Sequence, residues 1–279
     1  MGLVDGKVAL VTGAGRGQGR SHAARLAAEG ADVIAVDICA DRLETLSYPL
    51  ATEDDLDTTV KQVKATGRRA VKAIADVRSL PELQQAVAAG LAELGKIDIV
   101  CANAGIGSWA LSWEMTEQQW DEMIDINLTG VFNTVRAALP SMVQRGEGGC
   151  VVLTSSTAGV RGYLHTAHYT AAKHGVIGLM KVLAQELGEH RIRVNALCPT
   201  TVRTPLVIND ATFQLFAPDV PNPTEDDVRE AFEALNILPG VAWIEPGDVS
   251  DAVLFLCSDA AKYITGVTLP IDAGNTIRS

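Results

Sequence analysis

The sequence predicts a doubly wound α/β fold, a parallel sheet covered by helices on both faces. Three observations predict it. Short Val- and Ile-rich runs recur along the 279 residues, and they are apolar on both faces instead of alternating. Longer amphipathic segments separate them, as crossovers between parallel strands require. A glycine-rich turn directly follows the first run and opens the first helical segment.

In chain order, strands are expected at Lys7–Thr12, Asp32–Val36, Ala70–Ala75, Ile97–Ala102, Cys150–Thr154, Arg193–Leu197 and Val267–Ile271. Helices are expected at Gly17–Glu29, Leu83–Leu94, Trp120–Val143, Tyr169–Leu187 and Val249–Leu256. Two segments break the alternation. Residues 38–57 are polar and turn-rich and carry Tyr48-Pro49, and read as an insert. Residues 204–246 are proline-rich, with short helical patterns around Pro205–Phe216 and Thr224–Leu235. Excursions at strand ends either cover a ligand or decorate the surface, and a substrate lid is the favoured reading of the second. No repeat or low-complexity linker divides the chain, so residues 1–279 are expected to form one domain.

Composition narrows the function. Apolar residues make up 47% of the chain, enough for a sizeable core. A formal charge of −11 with no basic stripe argues against nucleic acid, and no apolar run has the length of a membrane span. The N-terminal residues lead almost at once into a strand, without a basic region and apolar block, so the cytoplasm is expected. Cys39, Cys101, Cys150, Cys198 and Cys257 are widely spaced and mostly set in apolar runs. The five histidines are equally scattered, so neither a disulfide framework nor a metal site is indicated. Cys198 lies beside an expected active-site loop. His165 and His168 precede Tyr169 and either line a pocket or are structural.

The turn Gly13-Ala14-Gly15-Arg16-Gly17-Gln18-Gly19 reads as the phosphate cradle of a Rossmann-type dinucleotide site. Gly13, Gly17 and Gly19 let the backbone approach a pyrophosphate, and the helix N-terminus around Gln18 supplies N–H donors. Asp37 ends the second strand, where a carboxylate accepts from adenosine ribose hydroxyls and repels a 2′-phosphate. NAD(H) is therefore expected over NADP(H), although a guanidinium at Arg16 argues the other way. Ile38, Asp76 and Val77 are further candidates on the adenosine side, with a loop cap the plain alternative for Asp76.

Tyr169 and Lys173 stand at i and i+4 and share one helix face. A free phenol has a pKa of about 10. A nearby ammonium and a positive nicotinamide ring favour phenolate, giving Tyr169 the capacity to take a proton from an alcohol or return one to a ketone. Lys173 is also placed to hold the nicotinamide ribose, and Ser156, past the fifth strand, to hydrogen-bond the substrate oxygen.

These residues resemble the short-chain dehydrogenase/reductase family: the Tyr169–Lys173 motif with Ser156 before it, the Thr12–Gly19 turn, Asn103-Ala104-Gly105, Asn127 and a tail from near Pro246. The resemblance implies that Asn127 anchors a proton-relay water. It also implies that Asn103, Ala104 and Gly105 border the cofactor, as do Pro199 and Val202. Two departures stand out: Cys101-Ala102 precedes Asn103 where a second asparagine is commoner, and Thr200 replaces a glycine. The insert, Pro199-Thr200-Thr201-Val202 and Tyr263–Pro270 resemble the mycofactocin-coupled, carveol-dehydrogenase-like branch. That resemblance implies NAD retained under the insert and reoxidised by a separate redox carrier, and the wider family implies a homotetramer.

The expected function is hydride transfer between NAD(H) and a secondary alcohol or ketone. A pocket drawing on Trp109, Leu111, Trp113, Leu164, Leu206 and Phe216 would suit an apolar substrate. The alternatives are a non-catalytic NAD-binding sensor and an epimerase or dehydratase on the same fold.

Overall fold

The computed structural model describes residues 2–40 and 42–278; Asp41 of the expected insert lies outside them. The strands are β1 Val8–Thr12, β2 Asp32–Asp37, β3 Ala70–Ile74, β4 Ile99–Ala102, β5 Gly149–Thr154, β6 Ile192–Pro199 and β7 Thr268–Ile271. They form a seven-stranded sheet in the order β3-β2-β1-β4-β5-β6-β7, and every pairing is parallel. Every residue of β1, β2 and β4 is buried, which explains why these strands do not alternate in polarity.

The helices are α1 Gly17–Ala28, α2 Glu53–Ala65, α3 Leu80–Leu94, α4 Glu117–Ile124, α5 Gly130–Arg145, α6 Ala167–Glu186, α7 Asp210–Phe216, α8 Glu225–Glu233 and α9 Pro246–Cys257. On one face of the sheet Leu26, Leu56, Val63 and Val253 from α1, α2 and α9 pack against the strands. On the other, Leu83, Val135, Met142 and Met180 from α3, α5 and α6 do the same. The chain reverses direction of build between β1 and β4, so a crevice opens at their carboxyl ends. Among the described residues no helix is long and apolar enough to cross a membrane.

Two expectations need correction. The pattern at Trp120–Val143 is not one regular helix, because a π-helical turn at Asp125–Thr129 separates α4 from α5. The turn brings Asn127 inward, fully buried, where its side chain bonds the backbone of Ile106. The insert also ends earlier than expected. Thr52 and Asp55 form a capping box that starts α2 at Glu53, so the irregular segment ends at Thr52. The buried residues of charge-rich α2, Leu56, Thr59, Val60 and Val63, stand at i, i+3, i+4 and i+7, the spacing of an amphipathic helix.

Residues 204–246 fold around a small core of their own. Phe213, Val228, Phe232 and Ala242 are buried there, and Phe216 stacks on Phe232 with ring centres 4.3 Å apart. The chain's last residues tie this unit down. Asn275 donates to the Leu235 carbonyl at 2.9 Å, and the Arg278 guanidinium reaches the Asn236 carbonyl.

Candidate active site

A cleft of about 610 Å³ runs along the carboxyl ends of the strands. At one end is the glycine turn. Gly13 has φ +66°, and a Cβ on Gly19 would lie 2.0 Å from the Gly13 carbonyl oxygen, so neither position accepts a larger residue without rearrangement. Helix α1 begins here without a side-chain cap and without an acidic residue in its first turn. Helix α2, by contrast, carries a capping box and Glu53, Asp54 and Asp55 at its start. The uncapped N–H groups of α1, with Gly17 and Gln18 on the cleft wall, are suited to a pyrophosphate. The Gln18 side-chain oxygen is buried there without a partner among the described residues. A narrow glycine cradle, an uncapped helix and an unmatched polar atom fit a dinucleotide.

Asp37 accepts from the Gly15 N–H at 2.8 Å. Burial raises its pKa, and the Gly15, Cys39 and Ile38 backbones and Arg16 oppose that rise. Arg16 lines the cleft, but its guanidinium donates to the Pro49 carbonyl of the insert. Asp37 and Ile38, then Asp76 and Val77 after β3, complete this end of the wall. Asp76 is held by Arg78 through its backbone N–H and its Nε, at 2.9 and 2.8 Å.

A hydrogen-bonded strip crosses the middle of the cleft. Thr12 Oγ1 accepts from the Asn103 and Ala104 N–H groups at 3.2 and 3.3 Å, and Asn103 Nδ2 donates to the Thr12 carbonyl at 3.1 Å. Gly105 continues the wall, while Pro199 and Val202 close it from the β6 side. His22, a buried residue of α1, has its pKa lowered to about 4 by burial, and its Nδ1 lies 2.8 Å from Ser250 Oγ of α9.

At the far end stand Ser156, Tyr169 and Lys173. Ser156 leaves β5 in an extended conformation and accepts from the Ala158 N–H at 3.1 Å. Lys173 Nζ donates to the Thr154 carbonyl at 2.8 Å and lies 5.6 Å from the Tyr169 ring centre. Burial lowers the Lys173 pKa to about 8. Burial raises that of Tyr169, and the Ser156 hydroxyl opposes this. The chain's own surroundings therefore favour the protonated phenol, and a further positive charge is needed to make it a base near neutral pH.

Asn127 does not line the cleft. Its Oδ1 accepts from the Ile106 N–H at 2.8 Å, and its Nδ2 donates to the Ile106 carbonyl at 2.8 Å, behind the wall. Its side chain makes no hydrogen bond to Lys173 among the described residues. Leu111 and Trp113, expected in the apolar wall, do not line it, and Trp113 is 79% exposed. Trp109, Leu164, Leu206 and Phe216 do, as does His165. His168 is fully buried and bonded to Ser108 at 2.9 Å. Cys198 is buried at the end of β6, and burial raises its thiol pKa.

Tyr48 is the main residue the sequence reading passed over. It comes from the insert, is buried in the cleft wall, and accepts from the Gly107 N–H at 2.9 Å. Burial pushes its phenol up to about 12. The only available signal was an aromatic residue inside an otherwise polar insert.

Residues 7–214 match the family model for short chain dehydrogenase. The chain is 52% identical over 279 residues to a (−)-trans-carveol dehydrogenase of Rhodococcus erythropolis, covering 100% of both. A carveol dehydrogenase from Mycobacterium avium, solved in complex with NAD, superposes with a TM-score of 0.98 at 52% identity, again covering 100% of both chains. A short chain dehydrogenase from Mycobacterium paratuberculosis bound to NAD gives a TM-score of 0.91 at 40% identity, with 99% of this chain and 100% of that one covered. With the parallel sheet, the glycine cradle and the Tyr169–Lys173 pair on one cleft, this chain belongs to the short-chain dehydrogenase family.

Proposed function

We propose that this protein is an NAD(H)-dependent alcohol dehydrogenase interconverting an apolar secondary alcohol and its ketone. The observation that carries the reading is the placement of Ser156, Tyr169 and Lys173 at one end of a cleft whose other end is the Gly13–Gly19 cradle and Asp37. The two NAD-bound relatives support the cofactor. Asp37 selects NAD, because Arg16 is committed to Pro49 and does not neutralise a 2′-phosphate.

Bound NAD supplies the hydride acceptor and a positive ring near the phenol. The chain's own groups do the rest. Ser156 hydrogen-bonds the substrate oxygen and fixes its distance from Tyr169. Tyr169 takes the hydroxyl proton in oxidation and returns it in reduction. Lys173, anchored on the Thr154 carbonyl, holds positive charge beside the phenol and a donor for the nicotinamide ribose. Asn127 acts through Ile106, holding the loop that follows Asn103-Ala104-Gly105. Trp109, Leu206 and Phe216 form an apolar wall from which water is excluded.

The insert serves as a clamp that retains NAD through turnover, and a mycofactocin-type carrier reoxidises it in place. Tyr48, Leu50 and Ala51 on the cleft wall and the Arg16–Pro49 contact support this reading. Residues 204–246 serve as the substrate lid. Exposed Phe132 on α5, Phe255 on α9 and Tyr263 before β7 support a homotetramer, and the cytoplasm is its proposed location.

Mass analysis of nucleotide released by denaturing the undialysed protein tests the assignment. Near-stoichiometric NAD(H) is expected, with alcohol oxidation supported by an artificial electron acceptor. An apo protein that exchanges NAD freely removes the clamp and the carrier. Bound NADP removes the role given to Asp37.

A further inference from the structure

The loop after β4 is pinned residue by residue. The Ile106 N–H is held by Asn127, the Gly107 N–H by the Tyr48 hydroxyl, and Trp109 Nε1 by Thr212 Oγ1 of α7 at 3.3 Å. The Ala110 N–H donates to the His165 carbonyl at 3.0 Å. Ser108 is thus presented to the cleft on a backbone fixed on both sides, and its Oγ lies 2.9 Å from His168 Nε2.

His168 is fully buried, and its Nδ1 has no partner among the described residues. With no protein acceptor at Nδ1, the direction of the Ser108 bond follows. A proton on Nδ1 would be a buried N–H without an acceptor, the costlier defect. A proton on Nε2 finds Ser108 Oγ, and Nδ1 is left as a bare lone pair. This is also the tautomer that a free imidazole prefers. The charged form would again place a proton on Nδ1, and burial lowers the His168 pKa. Neutral His168 therefore donates to Ser108. The Ser108 hydroxyl proton, with no acceptor of its own among the described residues, is then free for a ligand in the cleft.

We infer that Ser108, oriented by His168, is a specificity-determining donor for a second oxygen of the substrate, one distinct from the oxygen that Ser156 and Tyr169 engage. The favoured substrates are accordingly alcohols or ketones with an additional hydroxyl, carbonyl or ether oxygen on an otherwise apolar frame. A cleft wall that is apolar apart from a few fixed polar groups separates such ligands strongly, because the donor is left unpaired by a ligand that lacks the acceptor. His168 is buried behind the cleft wall and is a positioning residue.

This inference rests on the dehydrogenase reading, and a binding measurement keeps the two separable. Cyclohexanone, 2-hydroxycyclohexanone and 4-hydroxycyclohexanone are titrated into the NADH-loaded Tyr169→Phe protein, which lacks the proton donor and so does not consume NADH by reducing them, with quenching of nicotinamide fluorescence as the readout. At least one hydroxyketone is expected to bind about tenfold or more tightly than cyclohexanone. Ser108→Ala collapses that ratio to within about twofold. His168→Gln, which keeps a donor near the Nε2 position, preserves most of it, and His168→Leu loses it. Equal binding of all three ketones where Ser108 and His168 are intact overturns the inference, as does a ratio that survives Ser108→Ala. Ketone binding without turnover on any alcohol would count against the dehydrogenase reading and leave the Ser108 comparison intact.

Discussion

Lys173 and Thr154 are joined by a hydrogen bond of 2.8 Å from the Lys173 ammonium to the Thr154 carbonyl. The link is returned one residue on, where Ser155 Oγ donates to the Lys173 carbonyl at 2.9 Å. Helix α6 is thereby locked to the end of β5, and the strand that delivers Ser156 also sets the height of Tyr169. Local i,i+4 spacing pairs Tyr169 with Lys173, but this lock aims the pair at the cleft.

Removing the ammonium has a definite consequence. In Lys173→Met the phenol keeps the burial that raises its pKa and loses its neighbouring cation. Alcohol oxidation is expected to fall by about 10²- to 10⁴-fold. Lys173→Arg keeps the charge without fitting the Thr154 contact and is expected to retain part of the activity. A Met variant within threefold of the parent enzyme, measured by kcat/KM, rules out the role given to Lys173.

The same pair fixes the sign of the pH response. Oxidation needs Tyr169 as a base, so its rate rises with pH as the pair loses a proton; reduction needs the phenol and falls over the same range. Burial lowers Lys173 to about 8 and raises Tyr169, and the ammonium lies 5.6 Å from the ring centre, so a measured limb is assigned to the pair and to neither residue alone. Profiles of kcat/KM in both directions between about pH 6 and 10 check this. Opposite slopes are expected in the parent, and Lys173→Met moves the oxidation limb upward. Parallel slopes contradict proton transfer through Tyr169.

The parts of this site readable from sequence are those set by local spacing. The Gly13–Gly19 turn between an apolar strand and a helix identifies the cradle, and one helical turn brings Lys173 under Tyr169. Tyr48 and Ser108 could not be read in the same way. Their roles depend on contacts with Gly107 and His168, far away in the chain, and no periodicity encodes those. Trp113 shows the reverse error, since its apolar character suggested the pocket and the fold leaves it on the surface. Helix α2 was legible as well, from the Thr52–Asp55 capping box and from Leu56, Val60 and Val63 at helical spacing, but an insert drawn to residue 57 cuts across that pattern.

Asp37 and Arg16 separate into two functions that two variants distinguish. Asp37→Ala removes the ribose acceptor and the anion facing a 2′-phosphate. NAD affinity is expected to fall about tenfold or more, and discrimination against NADP to relax. Arg16→Ala removes the contact to Pro49 and is expected to speed NAD release with little change in NAD/NADP preference. Equilibrium binding for the first and displacement of bound NAD for the second measure these effects. A switch of preference in Arg16→Ala would return the guanidinium to a phosphate-reading role.

The C-terminal residues join the two walls of the substrate end. Arg161 donates to the Asn275 and Arg278 carbonyls at 3.0 and 3.1 Å, and Tyr163 bonds Asn275 Oδ1, all from the loop after β5. Asn275 Nδ2 donates at 2.9 Å to Leu235, in the 204–246 segment. Asn275 and Arg278 thus both join that segment to the loop before Tyr169, and Asn275, 3% exposed, does so with its side chain on both sides. Asn275→Ala leaves the Leu235 carbonyl and the Tyr163 hydroxyl without this partner, which costs about 1–3 kcal/mol where the groups stay buried. Because the catalytic trio lies outside this network, the loss should fall on closure more than on chemistry. KM for an apolar alcohol is expected to rise several-fold with a smaller change in kcat, and limited proteolysis within residues 204–246 to accelerate. Unchanged KM and unchanged cleavage would mean that the 204–246 segment is held by its own Phe213–Phe232 core and the remaining tail contacts, without need of Asn275.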